Sequence, residues 1–186
     1  MKQIYIVLMH THTCVSEFVR LVTRYRYSHV AIAFDEGCTV LYSFGRRRAR
    51  SFLDGGMSIE RYDGEFFRLF PRTECIIYRV PVTDQQYALA ASLVRGMVAR
   101  REQYRYDFTG ALLRYLGFPV TFHNRFVCSY FVAHILQSAG ILQFRKRVGL
   151  VTPRVFYALD GFEEIYRGRY LAWPQRYCTA SVPQRR

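Results

Sequence analysis

Two residues of this chain have the types and settings for nucleophilic chemistry. Cys128 opens the apolar run Cys128-Ser129-Tyr130-Phe131-Val132-Ala133, and His29 lies within Tyr27-Ser28-His29-Val30-Ala31-Ile32-Ala33-Phe34. A thiol in the first turn of a helix meets unpaired N–H groups and the positive end of the helix dipole, both of which favour thiolate. An imidazole projecting from a strand is the base that such a thiol needs. The same N–H groups can hold an oxyanion, so nucleophile and oxyanion donors would arrive on one element. Helical spacing puts Cys128 on the face of Phe131, Val132, Ile135, Leu136 and Ala139, pointing to the core. The plainer roles are a small buried hydrophobe for Cys128 and a hydrogen-bonded structural ring for His29.

Positioning these residues falls to a few elements. In the run 28–34, period two places His29, Ala31 and Ala33 on one face and Val30, Ile32 and Phe34 on the other, leaving room beside the imidazole. Asp35-Glu36-Gly37 reads as a hairpin turn, and 39–44 as the returning antiparallel strand, with Ser43 and Leu41 on one side and Tyr42 and Val40 on the other. Residues 3–9 form a first strand and 75–82 a later one. Between the first two strands, 13–24 has helical spacing with Thr13 as N-cap. Thr83 and Gln86 have capping-box spacing before a helical face of Ala90, Leu93, Val94, Met97 and Val98. The Cys128 helix ends at Gly140 as its C′ residue. The run 45–63 reads as a loop, 104–119 as helix then loop, 165–173 as a strand pair about Gly168, and 179–186 as a frayed basic tail.

Other polar residues carry weaker signals. His10, His12 and Cys14 alternate as three metal ligands could, but the enzymes that use such spacing are barrels longer than this chain, and no metal or other cofactor is expected. Tyr106 and Asp107 lie upstream of Cys128 and could line a cleft, although solvent-facing loop residues are the simpler account of both. His123 and Asn124 read as residues that shape the turn before Cys128.

Composition narrows the class. The 186 residues, 51% of them hydrophobic, suffice for one domain with its own core, and 15 Tyr and 15 Phe predict a core and cleft lined by rings. Five cysteines without paired spacing suggest a reducing compartment, and no run is long enough to span a bilayer, so a cytoplasmic protein is expected. The 27 Lys and Arg against 14 Asp and Glu, a formal +13, suit contact with an anionic membrane, polymer or substrate. Clusters such as Arg46, Arg47 and Arg48 or Arg145, Lys146 and Arg147 are scattered, which makes nucleic acid the less favoured partner.

The blocks Thr11-His12-Thr13, Tyr27-Ser28-His29-Val30-Ala31-Ile32-Ala33, Leu41-Tyr42-Ser43-Phe44-Gly45-Arg46 and Phe126-Val127-Cys128-Ser129-Tyr130-Phe131-Val132-Ala133 resemble the circularly permuted branch of the NlpC-type papain-like superfamily, in particular a bacterial group within it. In that branch histidine precedes cysteine along the chain, as here, and the lecithin:retinol acyltransferases share the permuted order. The resemblance implies an α+β permuted papain-like fold, with an antiparallel, barrel-like sheet packed against the nucleophile helix. It implies a hydrolase or acyltransferase acting on an amide or ester, such as that of a peptide or lipid-linked acyl group, through a thioester on Cys128 with His29 as general base and then acid. A third polar residue would orient the imidazole; the next strand has no Asp, Glu, His, Asn or Gln in 39–44, which leaves Ser43. Tyr27, Tyr42, Tyr106 and Ser129 are the expected substrate-binding residues. The alternatives are a member of the family that binds a small ligand without turnover, and a basic protein that binds nucleic acid or another anionic polymer.

Overall fold

The organising element is β1 (Lys2–His10), which is apolar on both sides because both of its faces are covered: Ile4, Ile6 and Leu8 enter one core, while Tyr5, Val7 and Met9 enter another. A strand of this kind belongs at the centre of a sheet. The computed structural model describes residues 1–12, 25–47, 54–110, 120 and 122–179. In it β1 pairs antiparallel with β2 (His29–Ala33) on one side. Beyond β2 come β3 (Val40–Arg46) and β4 (Gly55–Arg61). A short helix, α1 (Glu65–Leu69), leads to β5 (Glu74–Val82), which pairs with the other side of β1. Next are helix α2 (Asp84–Ala99), the small parallel pair β6 (Arg105–Tyr106) and β7 (Arg125–Phe126), and helix α3 (Cys128–Ser138). The chain returns as β8 (Glu163–Arg169) beside β5, and helix α4 (Pro174–Thr179) follows. The main sheet is six-stranded, in the order β4-β3-β2-β1-β5-β8.

The two faces of the sheet are covered differently. Val30, Ile32, Phe44, Ile76 and Val80 pack with Phe131, Val132 and Ile135 of α3 and with Ala90 and Val94 of α2. On the opposite face Ala31, Ala33, Leu41 and Ile77 pack with Phe67 of α1 and with Tyr170 and Trp173. Helix α2 starts with the expected capping box, in which Thr83 Oγ1 accepts from the Gln86 amide and Gln86 Oε1 accepts from the Thr83 amide. Helix α3 stops at Gly140 (φ 66°), whose N–H donates to Gln137 O while the Ile141 N–H donates to Leu136 O, the Schellman arrangement that only a left-handed C′ residue allows.

Several expectations need correction. The α+β class and antiparallel sheet hold, but the sheet does not close into a barrel: β4 and β8 are its two edges. The run 45–63 contains β4, which pairs residue for residue with β3 from Val40↔Arg61 to Arg46↔Gly55. Its apolar period is interrupted because Gly56, Ser58 and Glu60 share one face. The expected strand pair at 165–173 is one strand, β8, followed by a 3₁₀ turn over Tyr170–Ala172. Gly168 does not turn the chain; a Cβ there would lie 2.7 Å from the Tyr166 hydroxyl, so the glycine admits a ring. Residues 105–106 form β6 rather than helix. Asp107 is fully buried instead of solvent-facing, and its Oδ1 accepts from the Gly110 amide as a helix start requires. The expected helix over 13–24, the Cys14 position and residues 180–186 lie outside the described residues.

Candidate active site

Cys128 is the first residue of α3, and nothing caps that helix from a side chain: the N-cap is Val127, in extended conformation (φ −103°, ψ 164°). The first-turn amides of α3 therefore have no side-chain acceptor from the N-cap, the condition under which a helix start can serve an anion. Phe131 and Val132 drive α3 onto β2 and β3, which brings the thiol against the backbone of Val30. Ser129, the next residue, is buried and donates to Val151 O (2.6 Å), tying the helix start to the segment before residue 153.

Beside the thiol, β2 pairs antiparallel with β3. They meet in the ladder at Ile32↔Tyr42, and Val30 O is met by the Ser43 hydroxyl at 2.7 Å. Ser43 thus donates to a strand carbonyl rather than holding the imidazole. His29 pairs with Met9 and, by strand alternation, leaves β2 on the face of Ala31 and Ala33, opposite the face that α3 covers. Its Cε1 would lie 3.4 Å from a Cβ on Gly45, and Ser58 Oγ 3.7 Å from the same point, so Gly45 keeps the ground between imidazole and β4 open. No hydrogen bond joins His29 to Cys128 in this resting arrangement. Cys128 meets the backbone one residue further along the strand.

The face of β4 that interrupted the apolar period turns out to be polar and buried. Ser58 lies opposite Ser43 and Glu60 opposite Leu41, with 4% and 8% of their surfaces exposed. His29 Nε2, Ser58 Oγ and Glu60 Oε2 are all buried and lack a hydrogen-bond partner among the described residues. Three such atoms on β2 and β4 are costly unless they serve a ligand or a proton transfer. Glu60 is the functional candidate that sequence reasoning missed. The available signal was a lone acid at the end of the Gly-Gly-Met-Ser-Ile-Glu run, but the glycines read as loop.

Burial dominates the protonation of all three titratable groups. Desolvation pushes the Cys128 thiol up to about 11, against the pull of the Val30, Ser129 and Cys128 backbone and with a further push from Glu60. The thiolate bias expected of a helix start is therefore outweighed. His29 is lowered to about 4 by desolvation and by the Arg46 charge. Glu60 is raised to about 7 by desolvation, which exceeds the opposing pulls of Ser58 and Arg46; Ser58 is near enough to act without a hydrogen bond of normal geometry. At neutral pH the site holds a neutral thiol, a neutral imidazole and a carboxyl poised to titrate.

The expected substrate-binding residues scatter. Tyr27 is buried beside Tyr25, Arg26, Glu74 and Arg167 in a cavity of about 460 Å³. Tyr42 packs edge-on to Phe34 (centroids 6.0 Å) in the core under α2 and α3. The Tyr106 ring lies against Phe108 (4.6 Å) and over Gly55. The hydroxyl of Ser129 is committed to Val151 O. The rings of His10 and His12 meet edge to face at 4.2 Å, and Glu74 lies 3.7 Å from His12 Nε2. Among the described residues no helix is long and apolar enough to cross a membrane.

No protein-family model matches the chain, and no curated protein matches it.

Proposed function

We propose that the chain is a thiol acyl-transfer enzyme, a hydrolase or acyltransferase acting on an amide or ester, with Cys128 as nucleophile, His29 as base and acid, and Glu60 as the acid that sets the site's charge. The observation that carries this reading is the uncapped start of α3, which seats the Cys128 thiol on the Val30 backbone, one residue from a histidine whose Nε2 is buried without a partner. On this reading His29 takes the Cys128 proton as sulfur adds to the carbonyl carbon, and the first-turn amides of α3 receive the oxyanion. His29 then gives that proton to the departing amine or alkoxide, leaving a thioester on Cys128. Water or an acceptor alcohol or amine, deprotonated by His29, attacks the thioester and returns the thiol. Starting from neutral partners suits general-base catalysis rather than a standing ion pair, and because His29 leaves β2 on the face opposite α3, its imidazole must swing round the end of that strand to reach the thiol. The permuted papain-like fold is part of the same proposal; the order His29 before Cys128 and the packing of α3 on an antiparallel sheet support it. The formal +13 suits an anionic or membrane-associated substrate.

A ligand-binding member without turnover is the second reading, favoured by the missing hydrogen bond between Cys128 and His29. One experiment separates the two. The protein is incubated with p-nitrophenyl butyrate, and adducts are located by peptide mass spectrometry in wild type, C128S and H29A. Butyrylation confined to Cys128, with p-nitrophenol release that falls at least 100-fold in H29A, is expected. No adduct on Cys128, or an adduct formed equally fast in H29A, overturns the enzyme reading.

A further inference from the structure

A second cavity, of about 500 Å³, lies between α2 and α3 on the outer side of the helical layer. Phe126 and Tyr130 stack in it at 4.5 Å with 26° between their planes, and Phe122, 41% exposed, stands at its margin. His134 lies one turn after Tyr130, edge-on to it at 6.3 Å. The opposite wall is α2, where Gly96 faces the cavity. Glycine inside a helix costs roughly 1 kcal/mol relative to alanine. A Cβ at Gly96 would meet only Arg100 Nη2, at 3.8 Å, so packing of the folded chain does not demand the glycine; what it leaves is room.

Charge separates this cavity from the one beside Tyr27. There Arg26 is bonded to Glu74 and Arg167 to Glu164, so each guanidinium is already answered. The α2–α3 cavity has no carboxylate among the described residues that line it. Its guanidinium, Arg100, donates Nε–H to Gly96 O (3.2 Å), Arg125 lies above the Phe122 ring at 5.8 Å, and neither makes an ion pair among the described residues. Ring-lined space with unanswered cations at the rim is complementary to a flat aromatic anion.

We propose that the groove between α2 and α3 is a binding site for a small aromatic carboxylate, its ring among Phe122, Phe126 and Tyr130 and its carboxylate on Arg100. The site is separate from Cys128, which lies on the sheet-facing side of α3, and it does not depend on the acyl-transfer reading.

The test is calorimetric titration of the full chain with 2-naphthoate, and with neutral 2-naphthamide as its uncharged counterpart. Wild type is expected to bind 2-naphthoate saturably, at least tenfold more tightly than the amide. R100Q removes that preference and leaves amide binding unchanged. G96L fills the groove and abolishes both, with a thermal midpoint no lower than wild type because a helix-breaking residue is replaced by a good helix former. G96A serves as the control for folding and keeps binding within about threefold. Absence of saturable binding to wild type, equal binding to G96L, or indifference of the carboxylate to R100Q overturns the proposal.

Discussion

At the scale of single residues, the polar row on β2 and β4 sets opposing demands on pH. Glu60 is raised to about 7 from an ordinary value of 4.5, so the folded chain binds its proton more tightly than the unfolded chain does. Stability from that proton is complete below 4.5 and is lost as pH rises to 7, by roughly 3 kcal/mol at most. His29 has the reverse sign. Its value is lowered to about 4, so the neutral ring favours the folded state above the usual 6.5, and that advantage is lost as pH falls towards 4. The two slopes largely cancel in the wild-type chain. Removing either should expose the other: E60Q gains stability over wild type as pH rises from 5 to 8, and H29A gains over wild type as pH falls from 7 to 4. Urea unfolding at intervals of half a pH unit measures both differences. Parallel curves for wild type and E60Q would mean that Glu60 is not held in a desolvated site.

At the scale of elements, the start of α3 trades stability for exposed amides. Val127 offers no side-chain acceptor, although its extended backbone suits a capping residue. V127T keeps the branched shape and adds the missing hydroxyl, which stabilises a helix start by about 0.5–1 kcal/mol. The same hydroxyl would occupy an amide that the oxyanion needs. V127T should therefore unfold at a higher temperature while p-nitrophenol release falls at least tenfold; release unchanged beside a higher midpoint would remove the oxyanion role from this helix. What the sequence made legible follows the same division. Thr83, Gln86 and Gly140 act through bonds within a few residues of themselves, and they were readable as caps. The β4 strand acts through pairing with β3 and through a buried polar face, so Gly55, Gly56, Ser58 and Glu60 looked like a loop until β3 was beside them. Gly168 misled in the opposite sense, because its reason is a neighbouring ring and not a bend. Cys128 and His29 were legible as types in suitable settings. The face on which His29 leaves the sheet, opposite α3, needed the register with Met9.

At the scale of the whole molecule, the face of the sheet away from α3 is closed by residues from distant parts of the chain. Tyr170 stacks on Phe67 of α1 (4.2 Å, 28°), and its hydroxyl donates to Cys38 O at 2.6 Å. Trp173 donates its indole N–H to Glu36 O at 2.9 Å. These contacts fasten the segment after β8 over the β2–β3 turn, beside the strands that carry His29 and Ser43. A buried carbonyl that loses its donor costs about 1–3 kcal/mol, so Y170F should lower the unfolding free energy by that amount while keeping the ring stack. Trp173 is the single tryptophan, and its fluorescence therefore reports this closure alone. If the closure and the sheet form one cooperative unit, the fluorescence transition in urea coincides with the far-ultraviolet circular dichroism transition in wild type, and both move together to lower urea in Y170F. Fluorescence changing ahead of circular dichroism would show that the segment from Tyr170 onward opens by itself, leaving the His29 face of the sheet uncovered while the strands remain paired.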